Sequence, residues 1–176
     1  MKRTVLLAGA ILIYILLCTG CNDEMVDYYN PDVKLFVKHL KAGTYNTTNE
    51  DGIVDIPLFA QQHIPELLRY SEDITEIPSF PMSSINSQFG GKPRLGECML
   101  WIIEGIRLGY PASFGCKLLH RDADSYDGIY FLTNEQVIEV AVLYRKWWQK
   151  VENPNLVWSM ELLMYDPLQG SNYRWW

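Results

Sequence analysis

The 176-residue chain is poor in the side chains from which metal and nucleophilic sites are usually built. Its three histidines, His39, His63 and His120, are scattered without a His-x-x-x-His pair, so a zinc site would have to be assembled by the fold alone, and no metal is expected. No Gly-x-Ser-x-Gly elbow, phosphate loop or dinucleotide fingerprint occurs, which disfavours those enzyme classes and leaves no cofactor to expect. Basic residues are few: 15 against 21 acidic give a net charge of −6, which argues against nucleic acid as a partner. No apolar run reaches the roughly 20 residues of a spanning helix. What is plentiful is apolar area, with 48% hydrophobic and 13% aromatic residues, enough for one dense core.

The N-terminus reads as an address. Lys2 and Arg3 precede 13 apolar residues, Val5 to Leu17, the length of a signal-peptide core. Leu17-Cys18-Thr19-Gly20-Cys21 then resembles a lipoprotein cleavage site, with Cys18 where an aliphatic residue is usual. Leu17 is too bulky to precede a cleaved Cys18, so Cys21 is the expected lipid attachment. Its acyl chains, each buried CH₂ contributing about 0.8 kcal/mol, would hold the chain at a membrane. The acidic Asn22-Asp23-Glu24 resembles a surface-export signal, or serves as a solvated linker facing the periplasm. The expected organisation is a signal peptide over 1–20, a lipidated tether over 21–29 and a single domain over 30–176. Loss of Lys2 and Arg3 leaves 13 basic and 21 acidic residues, a net charge of −8.

The domain reads as mainly α, an irregular helical bundle or HEAT-like array of about five helices joined by long ordered loops. Asn30-Pro31-Asp32 supplies an N-cap, a first-turn proline and an acid for a helix over Val33–Ala42, stopped by Gly43. Pro57 opens a helical turn through Gln62 and Pro65 another through Tyr70, because a proline inside one continuous helix costs about 3 kcal/mol. Residues 74–86 read as extended. Pro93–Leu108 is the most apolar helix: Leu95, Cys98, Met99, Ile102 and Ile106 share a face, and Trp101 and Ile103 carry hydrophobicity round the cylinder. Thr133 and Gln136 form a capping box before the stripe Val137, Val140, Ala141, Tyr144 and Trp148. A shorter helix follows around 157–164, and the tail 170–176 docks its aromatics.

Beyond the lipidated Cys21, Cys98 and Cys116 are the cysteines that remain after the leader. If residues 95–108 and 114–120 are helices folded back around Gly109-Tyr110-Pro111, the two cysteines are offset axially by roughly 10 Å, beyond disulfide reach, and act as buried thiols.

Three groups of residues invite a functional reading. Thr47-x-Asn49-x-Asp51-Gly52-x-Val54-Asp55 resembles part of a calcium loop, but Thr47 and Leu58 stand at the first and twelfth ligand positions, so a turn is expected. The loop over 122–128 fails in the same way. Glu97 and Glu104 flank Trp101 on the most apolar helix and could act as the acid and base of a glycoside hydrolase, with Arg107 completing a polar site. Their Cα atoms lie roughly 10.5 Å apart, and Glu104 can instead pair with Arg107 at i+3. Five of six tryptophans fall between Trp147 and Trp176. Adjacent residues point about 100° apart on a helix, so Trp147, beside the striped Trp148, and one of Trp175 and Trp176 are candidates for exposure and partner binding.

Together, Asn30-Pro31-Asp32-Val33, the run from Asp51 to Pro57, the run from Leu95 to Arg107 and Tyr173-Arg174-Trp175 resemble a group of uncharacterised lipoproteins of Bacteroides-type bacteria. That resemblance implies a helical domain displayed on a lipid anchor, and no known activity; the expected location is the bacterial outer membrane, facing either the cell surface or the periplasm. The expected role is a non-catalytic binding or structural accessory with an envelope protein or glycan as partner. The competing expectations are a hydrolase using Glu97 or Glu104 and a glycan-binding module using exposed tryptophans.

Overall fold

Caps and apolar stripes decide where this chain turns helical. The structure, a computed structural model, describes residues 24–82, 91–109, 111, 113, 115–121, 131–152 and 165–176. Helix α1, Val33–Ala42, buries Phe36, Val37 and Leu40 and ends at Gly43 with φ 68°, where the Thr44 N–H closes onto the His39 carbonyl at 3.0 Å. Its cap is Asp32 rather than Asn30: Asp32 Oδ1 accepts the Leu35 N–H at 2.7 Å. Asn30 belongs to the preceding turn, where Asp27 Oδ1 takes the N–H groups of Tyr29 and Asn30, both at 2.8 Å.

Residues 24–29, expected as tether, are part of the packed domain. Val26 is buried, Thr47 Oγ1 donates to its carbonyl at 2.9 Å, and the buried His39 bonds the Glu24 carbonyl through Nε2 at 2.9 Å. The Leu58 N–H donates to the Tyr28 carbonyl at 2.9 Å, which draws residues 55–60 into an irregular path where a helical turn was expected at Pro57. Phe59 packs on Phe36 with centroids 5.1 Å apart and holds that path. A 3-10 turn, Gln61–His63, then leads into the six-residue α2, Ile64–Arg69.

Helix α3, Leu95–Leu108, lies at the centre, packed on α1, α2 and the next helix, α4 (Asn134–Val151). Arg94 caps α3 without a side-chain bond, so its first N–H groups need other acceptors. The backbone of residues 73–75 supplies them: Leu95 N–H to Thr75 O at 3.0 Å and Gly96 N–H to Asp73 O at 2.7 Å. The approach is so close that a Cβ on Gly96 would stand 2.3 Å from the Ser71 carbonyl oxygen. Here glycine is required for space.

Helix α4 opens with the capping box: Thr133 N–H to Gln136 Oε1 at 2.8 Å and Gln136 N–H to Thr133 Oγ1 at 3.4 Å. The tail docks as expected, but through a two-stranded antiparallel ribbon, β1 (Leu118–His120) with β2 (Tyr173–Trp175) in the register Leu118 to Trp175. Residues 118–120 are therefore a strand, where a helix was expected, because their backbone groups find partners far along the chain. The Leu118 N–H goes to Glu97, the Leu118 carbonyl accepts from Leu132, and the Lys117 carbonyl accepts from Trp176.

The domain is helix-rich, with one hydrophobic cluster running from Val26 to Leu168. The leader, Cys21, the acidic loop over 122–128 and the helix expected around 157–164 lie outside the described residues.

Candidate functional site

Both carboxylates of α3 are buried, and both are occupied. Glu97 accepts the Leu118 N–H on Oε1 at 2.9 Å and Arg94 Nε on Oε2 at 2.8 Å, with Lys117 Nζ 3.7 Å from Oε2. Arg94 also reaches the Leu132 carbonyl at 2.9 Å and Asn134 Oδ1 at 3.2 Å, which ties this pair to the start of α4. Glu104 accepts Arg107 Nη2 on Oε1 at 2.5 Å and Arg107 Nε on Oε2 at 2.9 Å. The Tyr144 hydroxyl donates to Glu104 Oε2 at 2.8 Å and itself accepts the Trp175 indole N–H at 2.9 Å. Burial, reinforced by the neighbouring Glu104 charge, pushes the Tyr144 phenol well above its usual range, so it stays a neutral donor. Burial works to lower the Arg107 pKa, but hydrogen bonding and charge attraction to Glu104 outweigh it and the guanidinium stays charged. These two networks fasten α3 to α4 and the ribbon. Buried pairs like these are expensive to break, since removing one partner strands the other charge at about 3–5 kcal/mol.

The tryptophans divide differently from the expectation. Trp147 is buried at 3% exposure, as is Trp148 at 9%, because α4 is covered on more than one side. Trp147 packs edge-on to Tyr144 at 6.2 Å and tilts onto Trp148 at 6.0 Å, and its indole N–H has no hydrogen-bond partner among the described residues. It therefore offers no surface to a partner. Trp175 and Trp176 are half-buried, Trp175 held by Tyr144 and Trp176 set edge-on to Phe131 at 6.0 Å.

Sequence reasoning missed an open groove among the described residues. A groove of about 700 Å³ runs between residues 55–62 and α3. Trp101, Ile102, Gly105 and Ile106 line it from the helix, Gly109 and Pro111 from the turn beyond, and Pro57, Leu58 and Phe59 from the facing segment. Leu58 is 52% exposed, with Ile53 and Val54 exposed nearby in sequence. The Trp101 indole is fixed: its N–H donates to Ser113 Oγ at 3.1 Å, Ser113 Oγ donates to the Gly115 carbonyl at 2.6 Å, and Phe80 meets the ring edge-on at 6.1 Å. Gln61 and Gln62 add amides. Asp55 is the one ionisable lining residue among those described; its carboxylate already accepts the Ile56 N–H at 2.7 Å and Asn49 Nδ2 at 3.2 Å. Neither Glu97 nor Glu104 lines the groove. An apolar floor, a held indole and amide edges suit binding rather than proton transfer. The hydrophobicity at Trp101, beyond the core face of α3, was the available signal, whereas Ile103 is fully buried in the core.

The other candidates resolve into local structure. Asn49 Oδ1 accepts the N–H groups of Asp51 at 3.0 Å and Ile53 at 3.1 Å, and the Thr47 hydroxyl is turned to Val26, so the calcium-like residues form a turn. His63 bonds Ala60 and His120 bonds Gln136 at 2.9 Å. His39, in the last turn of α1, is buried between Thr44 Oγ1 at 2.8 Å and the Glu24 carbonyl.

Cys98 and Cys116 also depart from expectation. Both are buried thiols, but their Sγ atoms are 3.3 Å apart rather than out of reach. The axial offset assumed a helix at Cys116, and that residue sits in a bend leading to β1.

No curated protein and no solved structure matches the chain significantly. A family model matches residues 27–176, and its description, Domain of unknown function (DUF4943), assigns no activity.

Proposed function

The chain belongs to the DUF4943 family, and we propose that it is a non-catalytic binding accessory of the bacterial cell envelope, anchored by lipid on Cys21. The observation that carries the binding role is the groove beside α3, with a fixed aromatic ring and amide edges and without a second ionisable group among its described lining residues. A held indole with hydrogen-bonding neighbours suits a sugar ring, which presents an apolar face and polar edges, so a glycan is the favoured ligand, taken by Trp101 in place of Trp147. The net acidity favours a neutral or basic ligand over an anionic one. The leader composition supports the anchor, and the lipoprotein is read as outward-facing on the outer membrane of a Bacteroides-type cell. The fold is read as an irregular bundle of about five helices, counting the apolar pattern at 157–164.

Two measurements test this reading. Metabolic labelling with an alkyne fatty acid should mark the full-length protein and should fail with Cys21→Ala. Titration of the detergent-extracted lipoprotein with neutral envelope oligosaccharides should change tryptophan emission, and Trp101→Phe should remove that change. Emission that stays constant for every oligosaccharide would sink the glycan reading.

A further inference from the structure

We propose that Cys98 and Cys116 form an intramolecular disulfide that pins one wall of the groove. The Sγ atoms lie 3.3 Å apart on side chains that are 0% and 1% exposed, so bonding at about 2.05 Å needs an approach of roughly 1.2 Å. The proposal rests on the envelope reading for its oxidising compartment, because disulfides persist there and not among cytosolic thiols.

The position of the bond gives it a consequence. Cys98 lies in the first half of α3 and Cys116 just before β1, so the closed loop contains Trp101, Gly105, Gly109 and Pro111, all groove-lining, and Ser113, which holds the Trp101 indole. Lys117, next to Cys116, carries a charge beside Glu97, next to Cys98, with Nζ and Oε2 3.7 Å apart. The covalent link and the ion pair thus fasten the same two places in the chain, and the groove wall hangs between them.

Chemistry fixes when the bond forms. Both cysteines are shut away from solvent, and burial also pushes the Cys98 thiol well above its usual range, so the folded domain presents no accessible thiolate. Oxidation therefore precedes closure of the core. In the unfolded chain one cysteine thiolate attacks the disulfide of an oxidant, either an envelope thiol–disulfide oxidoreductase or oxidised glutathione, giving a mixed disulfide and releasing one oxidant thiol. The second cysteine then displaces the remaining oxidant sulfur. Two electrons and two protons leave the cysteine pair, and the oxidant's disulfide ends as two thiols.

The full-length chain, made with its leader and extracted from cells in a denaturing alkylating buffer, should give a linked Cys98–Cys116 peptide pair and no alkylated thiol at either position. Refolding the reduced full-length chain in a glutathione redox buffer should form the same link and raise Tm by on the order of 10 °C over the reduced protein. Failure of the link to form during refolding overturns the proposal wherever the protein resides. Leader retention, read in the same mass spectrum, overturns the envelope reading, while the refolding result still decides the cysteine pair. Emission of the Trp101 indole, isolated as the difference from Trp101→Phe, should change on reduction; identical emission in the two states would overturn the groove-wall role.

Discussion

The side of α3 that meets α4 and the ribbon carries charge, and the side that meets residues 55–62 carries none. Towards α4 and the ribbon, Glu97 and Glu104 are buried and saturated by Arg94, Lys117, Arg107, Tyr144 and a backbone N–H. Towards residues 55–62, Trp101, Gly105 and Ile106 remain partly open to solvent. Charge is thus buried on one side of a helix whose other side leaves apolar surface partly open. A buried carboxylate with a full set of donors fixes an orientation, since any other arrangement leaves a stranded charge. An apolar surface with no cover specifies no arrangement of its own and is free to accept one from a ligand.

The contrast can be broken most directly at Glu104. Glu104→Ala removes the buried carboxylate that pairs with Arg107 and accepts from Tyr144, and should cost about 3–5 kcal/mol in urea unfolding. A loss below about 1 kcal/mol would mean that this side is not fastened by its charges. Gly96→Ala probes the same fastening by shape: its Cβ meets a backbone oxygen, not a flexible side chain, and about 1–3 kcal/mol of overpacking is expected in the same assay.

A smaller effect should appear at Asp73, whose carbonyl holds the first turn of α3. Burial works to raise its carboxyl pKa, but hydrogen bonds from Lys41, at 2.6 Å, and from Thr75 outweigh that and lower it. A lowered folded pKa means stability that is fully present above the unfolded value of about 4 and is lost as pH falls through the folded one. Asp73→Asn should flatten that acid-side slope, by less than about 1 kcal/mol because the pair is partly exposed. The smallest change belongs to the groove: Leu58→Ser should leave stability within about 0.5 kcal/mol while weakening ligand binding. A large destabilisation there would show that the groove is core.

Legibility from sequence followed the range of the interactions. The Thr133 box and the Gly43 stop were readable because each is complete within about five residues. The strand at 118–120 was not, because its partner is the tail at 173–175 and its local pattern resembles a helix. The same wrong helix separated Cys98 from Cys116 on paper. Trp147 was misplaced by assuming one buried face per helix, when α4 is covered more widely. Polar residues on an apolar helix signal burial or chemistry alike, and only the donors around Glu97 and Glu104 distinguish the two. The groove was half legible: the extra hydrophobicity of α3 at Trp101 was visible, but its other wall is irregular chain with no period to read.

The docking of residues 24–28 has a mechanical consequence for a lipid on Cys21. Glu24 is clamped by His39 and Tyr28 by Leu58, so three peptide steps, at most about 11 Å, would separate a lipid on Cys21 from the packed domain. A molecule moored on so short a line has little freedom to swivel. A tether of that length would keep the domain beside the headgroups, so the ligands within its reach would be ones at the membrane surface.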